Sequence, residues 1–123
     1  MRFNKLKISA DATSKLRSIR QRTGVTPNLL CRAAIMLSLE EGPANAPAPD
    51  EEGQEFNAYT LTGDHHGLIG ALLRFVEEDE AGRPALDNDA LVERLRAHIH
   101  RGVGTLAVRA KSPVDLARLA LAA

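Results

Sequence analysis

Residues 22–32 of the chain read RTGVTPNLLCR, and this stretch is typical of the junction between two helices. Gly24 predicts the end of the first helix, because glycine readily adopts the left-handed conformation that a helix C-cap commonly requires. Thr26 can accept backbone N–H bonds as an N-cap, and Pro27 at the first helical position loses nothing by lacking an N–H. The stretch therefore predicts that a second helix begins at Pro27.

The predicted second helix continues as NLLCRAAIMLSLEE, residues 28–41. Its apolar side chains point in nearly every direction around the helix axis, which indicates burial on most sides. A chain of 123 residues can rarely surround a helix by itself. We therefore expect the protein to self-associate and cover this helix in a homo-oligomer.

The segment before this junction predicts a strand and a helix. In RFNKLKIS, residues 2–9, the alternation of a strand places Phe3, Lys5 and Lys7 on one face. A helix over about residues 10–23 follows, with an apolar stripe of Ala12, Leu16 and Ile19. Helical steps of about 100° place Lys15 and Arg22 on one flank of that stripe, Arg20 on the other and Arg17 nearly opposite.

The rest of the chain predicts a linker followed by further helices. Residues 42–54 are rich in Pro, Ala and acids, as in a surface linker, and residues 55–63 alternate as in a short extended segment. Three helices follow, over residues 64–80, from Asp87 or Asn88 to a stop at Gly102, and from Pro113 with Ser112 as its N-cap.

Composition supports one mainly helical domain over residues 1–123. It divides into a basic strand–helix–helix part (1–41), the linker (42–54), and an extended segment plus helices (55–123). Aromatic residues make up only 3% and Trp is absent, so the core must be built from Leu, Ile, Val and Ala, which favour helices. We expect a cytoplasmic protein without membrane contact, since the only Cys fits a reducing compartment and no apolar run reaches the roughly 20 residues of a membrane span.

The zero net charge hides three blocks of opposite sign. Residues 1–32 hold eight basic side chains against one acid, residues 40–93 fourteen acids against two basic groups, and residues 94–123 six basic groups against one acid. Such segregation favours a basic face that binds a polyanion. The alternative is that the blocks pair with one another within the fold.

A strand followed by two helices with a basic N-terminal third is the layout of ribbon–helix–helix DNA-binding proteins. In that fold, two chains pair their strands into a ribbon that enters the major groove. The alternative is a strand at the edge of a sheet, whose lysines guard against aggregation. The candidate DNA-binding residues are Lys5, Lys7, Lys15, Arg17, Arg20, Arg22, Arg32 and Arg101, with Thr26 at a helix N-terminus that can hold a phosphate.

Two residues of the second helix have a structural interpretation. If Arg32 is buried it needs a partner, and we expect an acid such as Glu40 or Glu41 across an interface, the alternative being a position at the DNA surface. Cys31 stands between Leu30 and Arg32 on a mostly apolar helix, and a reactive thiol needs access and a lowered pKa. We expect Cys31 to fill space in the core.

Metal or cofactor chemistry has little support in the sequence. His65 and His66 are adjacent, and His98 and His100 are two apart, whereas a helical metal pair needs a spacing of three or four. No cofactor is expected. The carboxylates of Asp64, Glu77 and Asp79 could hold Mg²⁺ for DNA nicking, but a solvated acidic face is the simpler interpretation.

Several segments together resemble the DndE family of DNA sulfur modification proteins: RTGVTPNLLCR (22–32), SLEEGP (38–43), EFNAYTLTGD (55–64) and HIHRGVGTL (98–106). The resemblance covers nearly the whole chain. It implies a small helical protein with a ribbon–helix–helix-like core, working in the pathway that replaces a non-bridging phosphate oxygen of DNA with sulfur. It also implies self-assembly, association with other proteins of that pathway, and binding to double-stranded DNA, notably at nicks.

Three functions remain open at this point. The first is a non-catalytic DNA-binding subunit of the phosphorothioation system, and the second is a metal-dependent nickase of the same pathway. The third is a scaffold that binds partner proteins through its acidic middle, residues 40–93.

Overall fold

The computed structural model describes residues 1–122, which form six α-helices around a short two-stranded sheet. The strands are β1 (Lys5–Lys7) and β2 (Glu55–Asn57). The helices are α1 (Ala10–Thr23), α2 (Pro27–Glu40), α3 (Ala58–Leu61), α4 (His66–Arg74), α5 (Asn88–Arg109) and α6 (Pro113–Ala122). A 3₁₀ turn (Gly63–His65) precedes α4 and a π-helical segment (Phe75–Glu80) follows it. The expected mainly α fold, with an N-terminal strand and two helices followed by further helices, is confirmed.

Strand β1 pairs within the chain. It runs antiparallel to β2, with Leu6 opposite Phe56, and both of these side chains are buried. Lys5 and Lys7 lie on the exposed face, as the alternation predicts. Phe3 differs from the prediction: it is half-buried, because its ring packs against His66.

The other edge of β1 and the residues before it are held by α5. The side-chain amide of Asn88 bonds both main-chain groups of Arg2, at 2.6 and 2.7 Å, and Arg96 Nε donates to the Lys7 carbonyl at 2.7 Å. In this chain β1 therefore belongs to a sheet formed with β2 of the same chain, and α5 lies beside its second edge.

Helix α1 has a side-chain cap at its start, supplied by Ser9, and it ends at its predicted cap, Gly24. Ser9 Oγ accepts the Ala12 N–H at 3.1 Å, and Gly24, at φ +77°, donates its N–H to the Arg20 carbonyl at 2.8 Å. The predicted stripe of Ala12, Leu16 and Ile19 is buried. Local capping signals thus determine both ends of this helix.

Helices α2 and α5 form the centre of the fold, and here one prediction is wrong. Helix α5 does not stop at Gly102 but continues to Arg109. Gly102 lies against the α2 backbone: a Cβ at this position would be 1.9 Å from the Ala34 carbonyl oxygen. The glycine therefore permits a close helix crossing instead of ending a helix.

The surrounding elements complete an aliphatic core. Helix α6 begins where predicted, with Ser112 Oγ accepting the Asp115 N–H at 3.3 Å, and its Leu116 and Leu119 pack against the core. The predicted extended segment is shorter than expected, because Asn57 caps α3 by accepting the Thr60 N–H at 2.8 Å. No helix within residues 1–122 is long and apolar enough to cross a membrane.

Candidate nucleic-acid interface

The two flanks of α1 have different environments. Arg17 and Arg20 are exposed, and no acid of residues 1–122 lies within ion-pair distance of either. The flank with Lys15 and Arg22 turns toward α5. Lys15 also pairs with Asp11, one turn earlier on α1, at 2.8 Å. Arg17 and Arg20 are thus the cations of α1 that are free to meet an anion.

The exposed face of β1 adds two cations. Lys7 has no ion-pair partner among the described residues, and Lys5 Nζ lies 3.9 Å from Glu55 Oε2, a distant pair on an exposed surface. Exposed pairs of this kind contribute about 0–1 kcal/mol, so Glu55 does not hold Lys5 firmly.

Arg22, Arg32 and Arg101 cap helix ends, and we call them the capping arginines. Arg22 Nη2 donates to the Ala107 carbonyl in the last turn of α5 at 3.3 Å. Its Nε is buried without a hydrogen-bond partner among the described residues. Cations are favourable at helix C-termini, because the last carbonyls lack partners and carry partial negative charge.

Within the chain, the side chain of Arg32 bonds backbone carbonyls. Its Nε donates to the Leu61 carbonyl at 3.0 Å and its Nη2 to the Thr60 carbonyl at 3.1 Å, at the end of α3. Glu40 is eight residues further along α2, which corresponds to about 12 Å of helix axis, beyond the reach of the side chain within one protomer. The expected pairing with Glu40 or Glu41 across an interface stays a prediction.

Arg101 makes the most hydrogen bonds of the three capping arginines. It donates from Nε to Ser38 Oγ and from Nη2 to the Ser38 carbonyl, both at 2.8 Å, and from Nη1 to the Pro43 carbonyl at 3.0 Å. Glu41 Oε2 lies 3.3 Å from its Nε. Since α2 has no basic residue in its own last turn, α5 supplies the cation for this helix end.

Thr26 occupies the predicted N-cap position of α2 but does not cap it with its side chain. Its hydroxyl donates to Asn28 Oδ1 at 2.7 Å, and the helix has no side-chain cap bond. The first amides of α2 are therefore left without a side-chain acceptor.

The candidate set omits three exposed cations near the C-terminus: Arg109, Lys111 and Arg118. None has an acid of residues 1–122 within ion-pair distance of its side chain. The basic charge of residues 94–123 was the signal that could have found them. No local motif marks which of the basic residues in that block stay exposed, so the charge alone does not single out these three.

Cys31 lies in the core, as expected. It is fully buried, and desolvation raises the pKa of its thiol to about 12. A thiol with so high a pKa is protonated at neutral pH and a poor nucleophile.

A buried polar network joins α2, α5 and the π-helical segment. Ser38 Oγ lies 2.8 Å from His98 Nδ1, and His98 Nε2 lies 3.1 Å from Glu77 Oε2. Glu77 Oε2 also accepts the Ala44 N–H at 2.8 Å. Ser38, His98 and Glu77 are fully buried, and Ser38 Oγ is covered by Arg101, so this serine–histidine–acid arrangement anchors the linker.

The hydrogen bonds of this network match a neutral His98. Ser38 donates to Nδ1 and Nε2–H donates to the Glu77 carboxylate, so both ring nitrogens have partners without a second proton. The pKa of His98 is lowered, chiefly by desolvation, with Arg101 and Arg94 acting in the same direction and Glu77 opposing them.

We expect stability to fall as the pH drops below about 6.5, the ordinary histidine pKa, because the unfolded chain then binds a proton that folded His98 resists. The slope reaches up to about 1.4 kcal/mol per pH unit for one proton. Thermal unfolding between pH 7.5 and 5.5 measures this effect. The variant His98→Gln should flatten the dependence, whereas His65→Gln, at an exposed histidine, should retain it; equal slopes in both variants would contradict the assignment to His98.

The acids considered for a metal site are separated. Asp64 and Asp79 are exposed, whereas Glu77 is engaged with His98, Arg83 and Arg94. No group of three or more His, Cys, Asp or Glu residues arranged to hold a metal ion occurs in the described part of the chain.

Comparison with known proteins agrees with this architecture. No curated protein sequence matches the chain. The crystal structure of DndE from Escherichia coli B7A, described as involved in DNA phosphorothioation modification, matches with a TM-score of 0.70 and 24% identity, covering 86% of this chain and 100% of the other. A DndE G21/24K mutant structure matches with a TM-score of 0.67 and 22% identity, covering 85% and 97%. The family model for the DNA sulphur modification protein DndE matches residues 5–113, and the chain therefore belongs to the DndE family.

Proposed function

We propose that this DndE-family protein is the DNA-binding subunit of the DNA phosphorothioate modification system. In this proposal it binds double-stranded DNA, notably at nicks, through the sugar–phosphate backbone and in association with other proteins of that system. The observation that supports it most is the pair of exposed, unpaired guanidinium groups of Arg17 and Arg20 on α1. Arginine suits phosphate, because its planar group donates to two oxygens at once.

Backbone recognition fits the distribution of the cations. Phosphate contacts position a protein on DNA without reading sequence, and they require only exposed cations on a firm surface. Lys5 and Lys7 are presented by β1, which is held at one edge by β2 and beside its other edge by Arg96. Arg22, one of the capping arginines, ties α1 to α5 and so fixes the helix that presents Arg17 and Arg20.

The test is a DNA titration of the double variant Arg17→Gln/Arg20→Gln. We expect affinity for duplex DNA to fall at least tenfold at moderate salt, and the slope of log K against log[salt] to become shallower by about 2, one unit for each lost phosphate contact. Fluorescence anisotropy of a labelled duplex at several salt concentrations measures both quantities.

The matched control is Arg109→Gln/Arg118→Gln, which removes the same net charge from exposed positions on α5 and α6. We expect a smaller change in slope than for the α1 pair. Unchanged affinity and slope in the α1 variant would refute the proposal, and equal losses in both variants would show that overall charge, and not α1, governs binding.

We also propose that the protein forms a homo-oligomer through an apolar face on α2 and α4. This face comprises Leu29, Ala33, Met36 and Leu68; Leu29 and Leu68 are exposed, and a cleft of about 380 Å³ lies among the last three. Exposed apolar side chains near a partly apolar cleft are typical of interaction surfaces. Other sides of α2 pack against α5, α3 and α1 of the same chain.

Leu68→Glu is expected to yield a monomer at micromolar concentration, because it buries a charge in the proposed interface. Multi-angle light scattering measures the mass. Val108→Glu places the same charge at an apolar position that is 70% exposed outside this face, and it should leave the mass unchanged. A wild-type protein that is already monomeric would contradict the proposal.

A further inference from the structure

A cleft of about 350 Å³ lies where the chain enters β1, between the N-terminal residues and the turn that follows α3. Its lining combines aromatic and polar groups: Arg2, Phe3, Asn4, Tyr59 and His66. Its size corresponds to the lower end of the range for small-molecule sites, about 300 Å³. Neither the duplex-binding surface of α1 nor the apolar face of α2 and α4 includes it.

Several residues that line the cleft are held by contacts within the chain. The rings of Phe3 and His66 lie 5.5 Å apart, and His66 Nε2 lies 2.8 Å from the Met1 carbonyl. His66 Nδ1 is 2.7 Å from the Thr62 hydroxyl. Asn88 fixes the main chain of Arg2, so this lining residue extends from an ordered backbone. The cleft is therefore largely preformed.

Tyr59 lines the same cleft, with 84% of its surface exposed. The chain has three Phe, one Tyr and no Trp, and two of these four aromatic residues line this one cleft. A large ring that gains almost nothing from burial within the chain is available to stack on a flat ligand.

The cleft adjoins the cationic strand. Lys5 of β1 lies opposite Asn57 of β2, and Asn57 caps the short helix that carries Tyr59. Anionic backbone running along Lys7 and Lys5 would therefore arrive at Arg2 and Tyr59. Aromatic rings beside a track of cations are the combination by which proteins hold unpaired nucleotides.

We propose that this cleft binds one unstacked nucleobase of a DNA strand end, with the base against Tyr59 and its phosphate near Arg2. The inference rests on the proposed DNA-binding function and adds to it a means of distinguishing nicked from intact duplex. A base beside a nick can leave the stack at lower cost than a base within a continuous duplex, because unpairing costs least where the strand is already interrupted. An intact duplex would bind the cations but leave the cleft empty.

Tyr59 is itself the probe, because it is the only Tyr and the chain has no Trp. The experiment titrates full-length protein with three labelled duplexes: intact, singly nicked, and nicked with the terminal nucleotide lacking its base. Tyrosine emission, corrected for DNA absorption, reports stacking, while anisotropy of the labelled DNA reports binding independently. We expect quenching by the nicked duplex alone and binding of all three.

Two variants separate stacking from folding. Tyr59→Ala should lose about tenfold in affinity for the nicked duplex, within the range found when a base-stacking ring is removed, with little change for the intact duplex. Tyr59→Phe keeps the ring and should restore the wild-type preference. Because the side chain is so exposed, neither variant should change the unfolding temperature.

The outcomes distinguish the two proposals. Binding of all three duplexes with unchanged tyrosine emission, or equal quenching by all three, would overturn the stacking inference and leave the DNA-binding function standing. A change in Tyr59 emission with protein concentration in the absence of DNA would overturn it in favour of a second copy of the chain as the occupant. No anisotropy change with any duplex would overturn the proposed function and this inference together.

Discussion

Gly102→Ala is expected to lower the free energy of unfolding by about 3 kcal/mol, near the upper end of the usual cost of overpacking a core. The added Cβ would lie 1.9 Å from the Ala34 oxygen, 2.5 Å from its carbonyl carbon and 3.0 Å from its Cα. These are backbone atoms of α2, which cannot rotate away as a side chain can. The two central helices must therefore separate along their contact.

Thermal unfolding measures this effect, and Gly104→Ala is its control. For a chain of this size the loss at Gly102 corresponds to a decrease of roughly 10 °C in the unfolding temperature. A Cβ at Gly104, two residues further along α5, meets nothing closer than Lys15 Nζ at 3.9 Å. Gly104→Ala should therefore stabilise by about 0.5–1 kcal/mol, because alanine favours a helix more than glycine does. Opposite signs at the two positions are the expected result; stabilisation at both would show that the helices do not cross so closely.

Glu77→Ala is expected to destabilise the fold by about 3–5 kcal/mol, the usual cost of removing one partner of a buried ionic group. The fully buried carboxylate accepts from His98 and from the Ala44 N–H, and its other oxygen lies 3.3 Å from Arg83 and 3.4 Å from Arg94. Arg83 and Arg94 can turn toward water, since about a third of each side chain is exposed. The buried N–H groups have no such alternative, and their desolvation is most of the expected cost.

Glu77→Gln separates shape and hydrogen bonding from charge. The glutamine amide keeps the volume of the glutamate side chain and one accepting oxygen. We therefore expect Glu77→Gln to lower the free energy of unfolding by less than half as much as Glu77→Ala. Denaturant unfolding gives both values. Amide hydrogen exchange at Ala44 should accelerate strongly in the alanine variant, because the linker loses its anchor on the core. Equal stability of the two variants would show that only the charge of Glu77 matters. A negligible effect of both would show that the hydrogen bonds of Glu77 are not formed in solution.

Much of the candidate site could be predicted from sequence. Alternation in residues 2–9 correctly places Lys5 and Lys7 outward, and the helical spacing in α1 correctly separates Arg17 and Arg20 from the buried stripe. The hydrogen-bond partners of the capping arginines could not be predicted in this way. Arg32 and Arg101 bond carbonyls that lie 28 to 63 residues away in sequence, and no local pattern reveals such partners.

The four acidic residues 77–80 also combine a part that local sequence predicts with a part that only the fold decides. As sequence they resemble a solvated acidic face, and Asp79 and Glu80 are indeed exposed. Glu77 is fully buried instead, because Ala44, His98 and two arginines from other parts of the chain converge on it. A carboxylate can be buried only where such partners meet, and that is a property of the assembled fold.

The sequence by itself determined the elements whose causes are local. These are the caps of α1, the start of α2 at Pro27, the faces of β1 and the burial of Cys31 within an apolar helix, and each depends on neighbours within a few residues. Only the tertiary structure decided that β1 pairs with β2, that α5 continues through Gly102, and which arginines remain free. The physical reason is that steric and capping preferences act along the chain, whereas close helix crossings and buried charge pairs require partners from distant segments.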